Sequence, residues 1–283
     1  MYDEKSKELL SATLAADSHA LGAHWVYDMD ELQNLEMDWN VLNAPHVAWH
    51  EGKGRGDFTH YGDQIIILDD YLKENNIFDI KTYMNHWQEA MKIFKGYKDG
   101  AINETLANLK QQLPLPCGST SHDMSIVGRI VPLLRISKTK EDFLNHTKLF
   151  AQVTHNDEMV LESMHFFSTL LLEVLEGKSI KKSIVVLKDN YSPAIQEYIQ
   201  AGIDSKELDT REAIATFGPA CPTDSAFPST IHILFKYDDF KEALIQNAKA
   251  GGDSAARAMV IAYLMTAQQS IEIVPKAWLE FNA

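Results

Sequence analysis

Residues 54–68, GRGDFTHYGDQIIIL, gather three glycines, His60, Tyr61 and two aspartates directly before an apolar run. An imidazole beside a phenol and a carboxylate can be held by a hydrogen bond and exchange a proton near neutral pH. His60 therefore reads as a general base or as a structural histidine, with Gly62 leaving room for close approach. Asp63 opens the helix that follows, where a carboxylate caps free N–H groups and complements the helix dipole. Asp253, in KAGGDSAARAM, stands before a second helix and follows two glycines that permit a tight bend. That helix is the most apolar in the chain, where an unpaired carboxylate is costly, so Asp253 calls for a neutralising partner. Asp17 and His24 lie seven residues apart, about 10 Å of helix rise, on the face that carries Leu10 and Leu14. They are acid–base candidates or, in the plainer reading, polar groups satisfied within a core.

Further groups fit a ligand or a purely structural task. CGSTSHDMS at 117–125 offers Ser119, Ser121, Asp123 and backbone amides ahead of a helix, a cradle for a diphosphate or ribose, or else a capped turn. Arg129 on an apolar helix pairs with a phosphate or with a buried carboxylate. His155 in THNDE faces a substrate, or the motif serves as a helix cap. Trp25, Tyr27 and Tyr97 can stack on a base or pack in a core.

The elements that must position these groups are helical. Apolar residues recur at helical spacing almost throughout, and strand-like alternation is nearly absent, which predicts an all-α fold. One stripe runs through Ile80, Tyr83, Met84, Trp87, Met91 and Phe94. A long helix is predicted over 156–176, closed by Gly177, and SAARAMVIAYLMTA is apolar all round, as a central helix should be. Loops are expected at 43–62, 113–123 and 217–229, each rich in Gly, Pro, Ser or Thr. No repeat or Pro-rich linker marks a boundary, so residues 1–283 are expected to form a single domain.

Composition excludes several classes. With 45% hydrophobic residues the 283-residue chain can bury a large core, and a net charge of -14 opposes binding to a nucleic-acid backbone. Two widely separated cysteines, Cys117 and Cys221, support neither a disulfide framework nor a Cys-based zinc site, and a reduced cytoplasmic location fits. MYDEKSKELL lacks the pattern of a secretion signal, and AMVIAYLMTA is too short to span a bilayer, so no membrane partner is expected.

Three of these stretches together resemble the ADP-ribosylglycohydrolase family, in particular its J1-crystallin-like branch. ADSHALGAHWVYD at 16–28 is similar to the family's GDALGAPVEF element, THYGDQ at 59–64 occupies the place of TDDT, and GGDSAARA at 251–258 that of GGDTDT. SIVGRIVPLL, THND and IVPKAW complete an ordered set of six elements covering nearly the whole chain. The resemblance implies an orthogonal all-helical bundle that cleaves an ADP-ribosyl N- or O-glycosidic bond with two magnesium ions. Position by position the match is incomplete. Tyr61, Gly62 and Gln64 replace Thr, Asp and Thr in the first motif while Asp63 remains; Asp253 and Ser254 remain in the second, but Ala255 and Ala256 replace Asp and Thr; His24 replaces a Glu.

Asp63 and Asp253 are thus the two surviving ligand carboxylates, enough to hold one divalent metal (Mg, Mn or Zn) weakly or none. The resemblance implies a hydrolase of an ADP-ribosyl-like or other N-glycosidic nucleotide or ribosyl substrate. Its acid–base set would be His24, His60, Asp63 and Asp17, and its substrate contacts Tyr61, Ser119, Ser121, Asp123, Arg129, His155 and Ser254. A catalytically silent, crystallin-like protein is the alternative.

Overall fold

The computed structural model describes residues 3–282 and is built from helices. In chain order these are α1 (Asp3–Leu21), α2 (Met29–Gln33), α3 (His60–Asn75), α4 (Ile80–Ile93), α5 (Gly100–Lys110), α6 (Lys140–Thr154), α7 (Glu158–Leu175), α8 (Ile180–Leu187), α9 (Pro193–Asp204), α10 (Thr210–Phe217), α11 (Thr223–Lys236), α12 (Phe240–Lys249) and α13 (Ser254–Gln268). Among the described residues the only β-type pairings are two isolated bridges, Ser119 with His155 and Asp123 with Pro222. The all-α expectation holds.

The centre is α13, buried continuously from Ser254 to Thr266. Its apolar circumference requires neighbours on all sides, and α1, α7, α11 and α12 supply them together with the 3-10 segment Met124–Arg129. Ala12, Ala15 and Ala16 on α1, with Ala255, Ala258 and Ala262 on α13, are all buried. Short side chains on both partners let two helix axes approach closely, so α1 and α13 form the closest-knit pair in the fold. The buried cluster around them runs from Leu9 to Trp278.

Two expected boundaries move. Thr59 is the N-cap of α3, its hydroxyl accepting from Tyr61 N–H at 3.1 Å, so the helix starts at His60 and Asp63 lies inside its first turn instead of capping it. Residues 223–229, expected as loop, are the first half of α11, with Pro228 inside the helix. Buried Phe227, Ile231 and Leu234 anchor that segment to the core, and this burial outweighs its Pro and Ser content. The expected loop at 113–123 is non-helical, as is 43–62 apart from a short turn at Ala48–His50 and the start of α3.

Two histidines far from the cleft are sealed into this core. His19 stacks on Trp278 with ring centroids 3.8 Å apart and has Nε2 3.0 Å from Trp39 O; His232 sits between the Ser205 and Thr210 hydroxyls at 2.8 and 3.1 Å. Burial lowers each from 6.5 to about 4. Between pH 6.5 and 4 the unfolded chain therefore holds more protons on these two groups than the native one, and their contribution to stability falls as pH falls through that window. Each group contributes up to about 1.4 kcal/mol per pH unit. Urea unfolding of the parent and of His232→Gln at pH 7.5 and pH 5 isolates this contribution; a difference between the two proteins that is the same at both pH values would contradict it.

Candidate functional site

Four loops converge at the head of α13, laced by backbone hydrogen bonds. Trp25 N–H donates to Gly252 O and Gly252 N–H to Val26 O, both at 2.8 Å; Asp253 N–H donates to Pro219 O at 2.7 Å. Met124 N–H donates to Cys221 O at 3.0 Å, and Thr223 N–H to His122 O at 2.9 Å. Segments 24–26, 122–124, 219–223 and 251–253 are thereby brought together from across the chain. The two glycines make the lacing feasible: Gly252 has φ +59°, and a Cβ there would lie 2.0 Å from Pro219 O. Arg257 braces the same turn from below, donating to Asn247 Oδ1, Gly251 O and Pro219 O.

Asp253 sits within this lacing, completely buried. Its Oδ1 accepts from Ala256 N–H at 3.3 Å as the N-cap of α13, and its Oδ2 from the Tyr61 hydroxyl at 2.9 Å. The same hydroxyl lies 3.5 Å from Asp123 Oδ2. His24 Nδ1 is 3.6 Å from Asp253 Oδ1 and accepts from Ala255 N–H at 3.4 Å. One oxygen of Asp123, one of Asp253 and the Cys221 sulfur fall within 4.8 Å of one another. Burial, then the charge of Asp253, pushes the Asp123 carboxyl up to about 7, and burial raises Asp253 against the Tyr61 hydrogen bond. The Cys221 thiol is likewise driven upward by burial and by both carboxylates.

Above this floor opens a cleft of about 490 Å³ walled by Trp25, Tyr27, Trp49 and Tyr97, with Tyr61, Asp99, Ser121, Asp123 and Cys221 along its base. Trp25 stands edge-to-face with Tyr97 at 4.9 Å, and Trp49 with Tyr97 at 5.8 Å. Asp99 caps α5 through Ile102 N–H at 2.7 Å, and His60 Nε2 lies 3.1 Å from its other oxygen. Burial alone would raise the Asp99 carboxyl, but His60 and then Arg129 hold it well below the usual carboxylate range. Beneath Trp25 the rings of His24, His50 and His60 cluster with centroids 5.3 to 6.4 Å apart. Burial and their mutual charges hold His24 well below its ordinary value, so it is neutral.

The expected pairing of Asp63 with Asp253 does not form. Asp63 carries Lys53 on both carboxylate oxygens at 2.7 Å and lines a different cleft, with Asp57, Phe94 and Asn282. The reason is helical phase: Tyr61 and Asp63, two residues apart, point about 200° apart around the axis. With Tyr61 turned to Asp253, Asp63 must face away. Asp17 does not line the cleft either; its oxygens accept from Thr59 N–H at 2.8 Å and the Thr59 hydroxyl at 2.6 Å, and burial raises it to about 7 against those bonds. It clamps the start of α3, and Gly62 leaves the space: a Cβ there would meet Asp17 Oδ2 at 2.4 Å.

Other expected contacts are likewise engaged inside the protein. Ser119 donates to Thr154 O at 2.7 Å, and His155 Nδ1 bonds the Thr154 hydroxyl at 2.9 Å. Arg129 donates to Ser125 Oγ at 2.6 Å with its guanidinium 4.9 Å from the Tyr61 ring centroid, behind the cleft wall. Ser254 is fully buried. Tyr61, Ser121 and Asp123 alone of the expected substrate set line the cleft, and Trp25, Tyr27 and Tyr97 join them as walls. Trp49, Asp99 and Cys221 went unrecognised: Asp99 reads as an ordinary cap before Gly100, Trp49 is one aromatic in a long loop, and Cys221 has no cysteine or histidine nearby in sequence.

Two magnesium ions do not fit this floor. Magnesium requires near-octahedral oxygen coordination, whereas the cluster offers two carboxylates and a thiol, with a phenol hydroxyl already bound to Asp253.

A sequence model of a family described as ADP-ribosylglycohydrolase matches residues 2–281. Crystallin J1A and Crystallin J1B of Tripedalia cystophora are 21% and 20% identical, each alignment covering 98% of this chain and 91% of the crystallin. A solved structure of an ADP-ribosylglycohydrolase-related protein complex shares the fold, with a TM-score of 0.75 at 17% identity over 98% of this chain and 92% of that one.

Replacing Tyr61 by Phe removes the hydroxyl donor to Asp253 and leaves a buried carboxyl short of a partner, a loss expected at about 1–3 kcal/mol. Denaturant unfolding of Tyr61→Phe measures it; a stability equal to the parent's would show that the bond contributes nothing.

Proposed function

The chain belongs to the ADP-ribosylglycohydrolase family, and on that footing we propose that it is a hydrolase of an ADP-ribosyl-like or other N-glycosidic ribosyl bond, acting in the aromatic cleft above Asp123. The observation that supports this reading is the Asp123–Asp253 carboxyl pair, joined through the Tyr61 hydroxyl, at the base of an open cleft.

Cleavage of a glycosidic bond builds positive charge at the anomeric carbon, and a carboxylate facing that carbon stabilises it. Asp123 is the member of the pair that lines the cleft. It would meet the sugar and direct the attacking water. Asp253, with Tyr61 and His24 around it, is a positioning residue that holds the floor. His60 acts through Asp99, and Asp17 through the start of α3. The aromatic walls receive the departing ring or base.

A single divalent ion held by Asp123, Asp253 and Cys221 would, when bound, supply a polarised water. A donor set of two oxygens and a sulfur suits Zn better than Mg. Calorimetric titration is expected to show at most one divalent ion per chain; two tightly bound magnesium ions would overturn this assignment.

The second reading, a catalytically silent protein, draws support from the internal engagement of Asp17, His24 and His60 and from the crystallin relatives. A panel of N-ribosides and ADP-ribosyl compounds, assayed for released ribose or ADP-ribose, separates the two. Under the hydrolase reading Asp123→Asn lowers turnover by roughly 10²-fold or more, with its unfolding midpoint kept. Release from no member of the panel, or an Asp123→Asn variant as active as the parent, would defeat that reading.

A further inference from the structure

We propose that the cleft is a receptor for a phosphate-free organic cation, a flat N-alkylated or N-ribosylated aromatic ring carrying positive charge, and that it rejects a diphosphate. This takes the cleft to be the functional site, as the hydrolase reading does, and names what enters it.

Three observations carry the inference. The first is the wall. Trp25 and Trp49 each stand nearly perpendicular to Tyr97, at 77° and 78°, so the rings form corners around the opening. Tyr27 and Trp49 remain 50% and 60% exposed at its mouth. Aromatic faces carry negative charge density and enclose cations, an aromatic cage being the usual way of holding a quaternary or N-alkylated nitrogen.

The second is charge. Asp99 and Asp123 lie along the base, and among the described residues no Lys or Arg lines the cleft. The basic groups nearest to it lie outside the lining: Lys53 is paired with Asp63, Arg257 braces the turn below Asp253, and Arg129 sits behind Tyr61, where its charge acts on Asp99 and Asp123. A diphosphate would meet two carboxyls at the base and no cation within the lining, the Arg129 guanidinium lying behind the Tyr61 ring.

The third is the loop at 117–125, whose backbone amides would otherwise hold phosphate oxygens. Six of these nine amides already have partners within the chain. Ser119 N–H donates to Thr154 O, Ser121 N–H to Ser119 Oγ, Asp123 N–H to Ser121 Oγ, Met124 N–H to Cys221 O and Ser125 N–H to Asp123 Oδ1. Thr120 gives both its N–H and its hydroxyl to Glu104 Oε1, at 2.9 and 3.1 Å. The chain's own carboxylate occupies the place where an external anion would dock. Of the two readings of this loop, cradle or capped turn, these bonds support the capped turn. A volume near 490 Å³ accommodates one aromatic ring with a pentose.

The test is calorimetric, with 1-methylnicotinamide as the flat N-alkylated cation, nicotinamide as its uncharged counterpart and ADP-ribose as the diphosphate. The cation is expected to bind at least about tenfold more tightly than either competitor, the scale of one or two desolvated cation–aromatic contacts. Trp49 is largely exposed, so Trp49→Ala should keep the parent's unfolding midpoint while losing about tenfold in cation affinity, and Trp49→Phe should retain most of it. Tighter binding of ADP-ribose than of 1-methylnicotinamide, equal binding of nicotinamide, or no binding of the cation would each overturn the inference. Cation binding with no hydrolysis of any riboside would leave the receptor standing and remove the hydrolase; hydrolysis of an ADP-ribosyl compound with tight ADP-ribose binding would do the reverse.

Discussion

The carboxyl of Asp253 is the constraint around which the molecule is arranged. It heads the most deeply buried helix of the fold, out of reach of solvent, where an unsatisfied charge costs several kcal/mol. Its hydrogen-bond partners are a backbone amide of its own helix and the phenol of Tyr61, 192 positions away in sequence, with His24 alongside and the Arg257 charge below. Bringing Tyr61 there requires α3 to begin at one particular residue. Threading the chain behind Asp253 requires Gly252 in the left-handed region against Pro219. The convergence of the four loops follows from these demands.

The start of α3 is set by a second buried carboxyl. Asp17 on α1 grips Thr59 through backbone and side chain together, which makes Thr59 the cap and His60 the first helical residue. A helix shifted by one residue would turn by about 100°, swinging Tyr61 off Asp253. Two internal aspartates on the most intimately packed helices thus determine the phase of the segment that carries the floor of the cleft. The same phase sends Asp63 to Lys53 on the far side, so a residue that matches the family's motif in sequence serves a different surface here.

The residues at which this chain departs from the motifs it resembles act together. Tyr61, standing where the family motif has a threonine, supplies a hydroxyl that reaches Asp253; Gly62 admits Asp17; Ala255 and Ala256 leave the first turn of α13 apolar and close against its neighbours. In this chain hydrogen bonds converge on the Asp253 carboxyl, at the place of the family's second motif. The cleft above has carboxyls along its base and aromatic walls.

The amino-acid sequence by itself determined the helical class, the central place of α13 and the stripe on α4, whereas the pairing it suggested for Asp253, with Asp63, is not the one that forms. Periodicity and composition act within one element, where 3.6-residue spacing leaves little freedom. It also marked Asp123, Ser121, Trp25, Tyr27 and Tyr97, which the cleft does bring together. Tertiary structure alone decided which carboxyl meets which partner. Asp63, Asp99 and Asp123 look alike as residues ahead of or within a first helical turn, and their fates differ because helix phase, burial and the nearest cation differ. Phase is set by a clamp between Asp17 and Thr59, 42 positions apart, and the fate of the 117–125 amides by Glu104 and Thr154 on other helices. Such choices depend on distances across the fold, and local pattern carries no information about them.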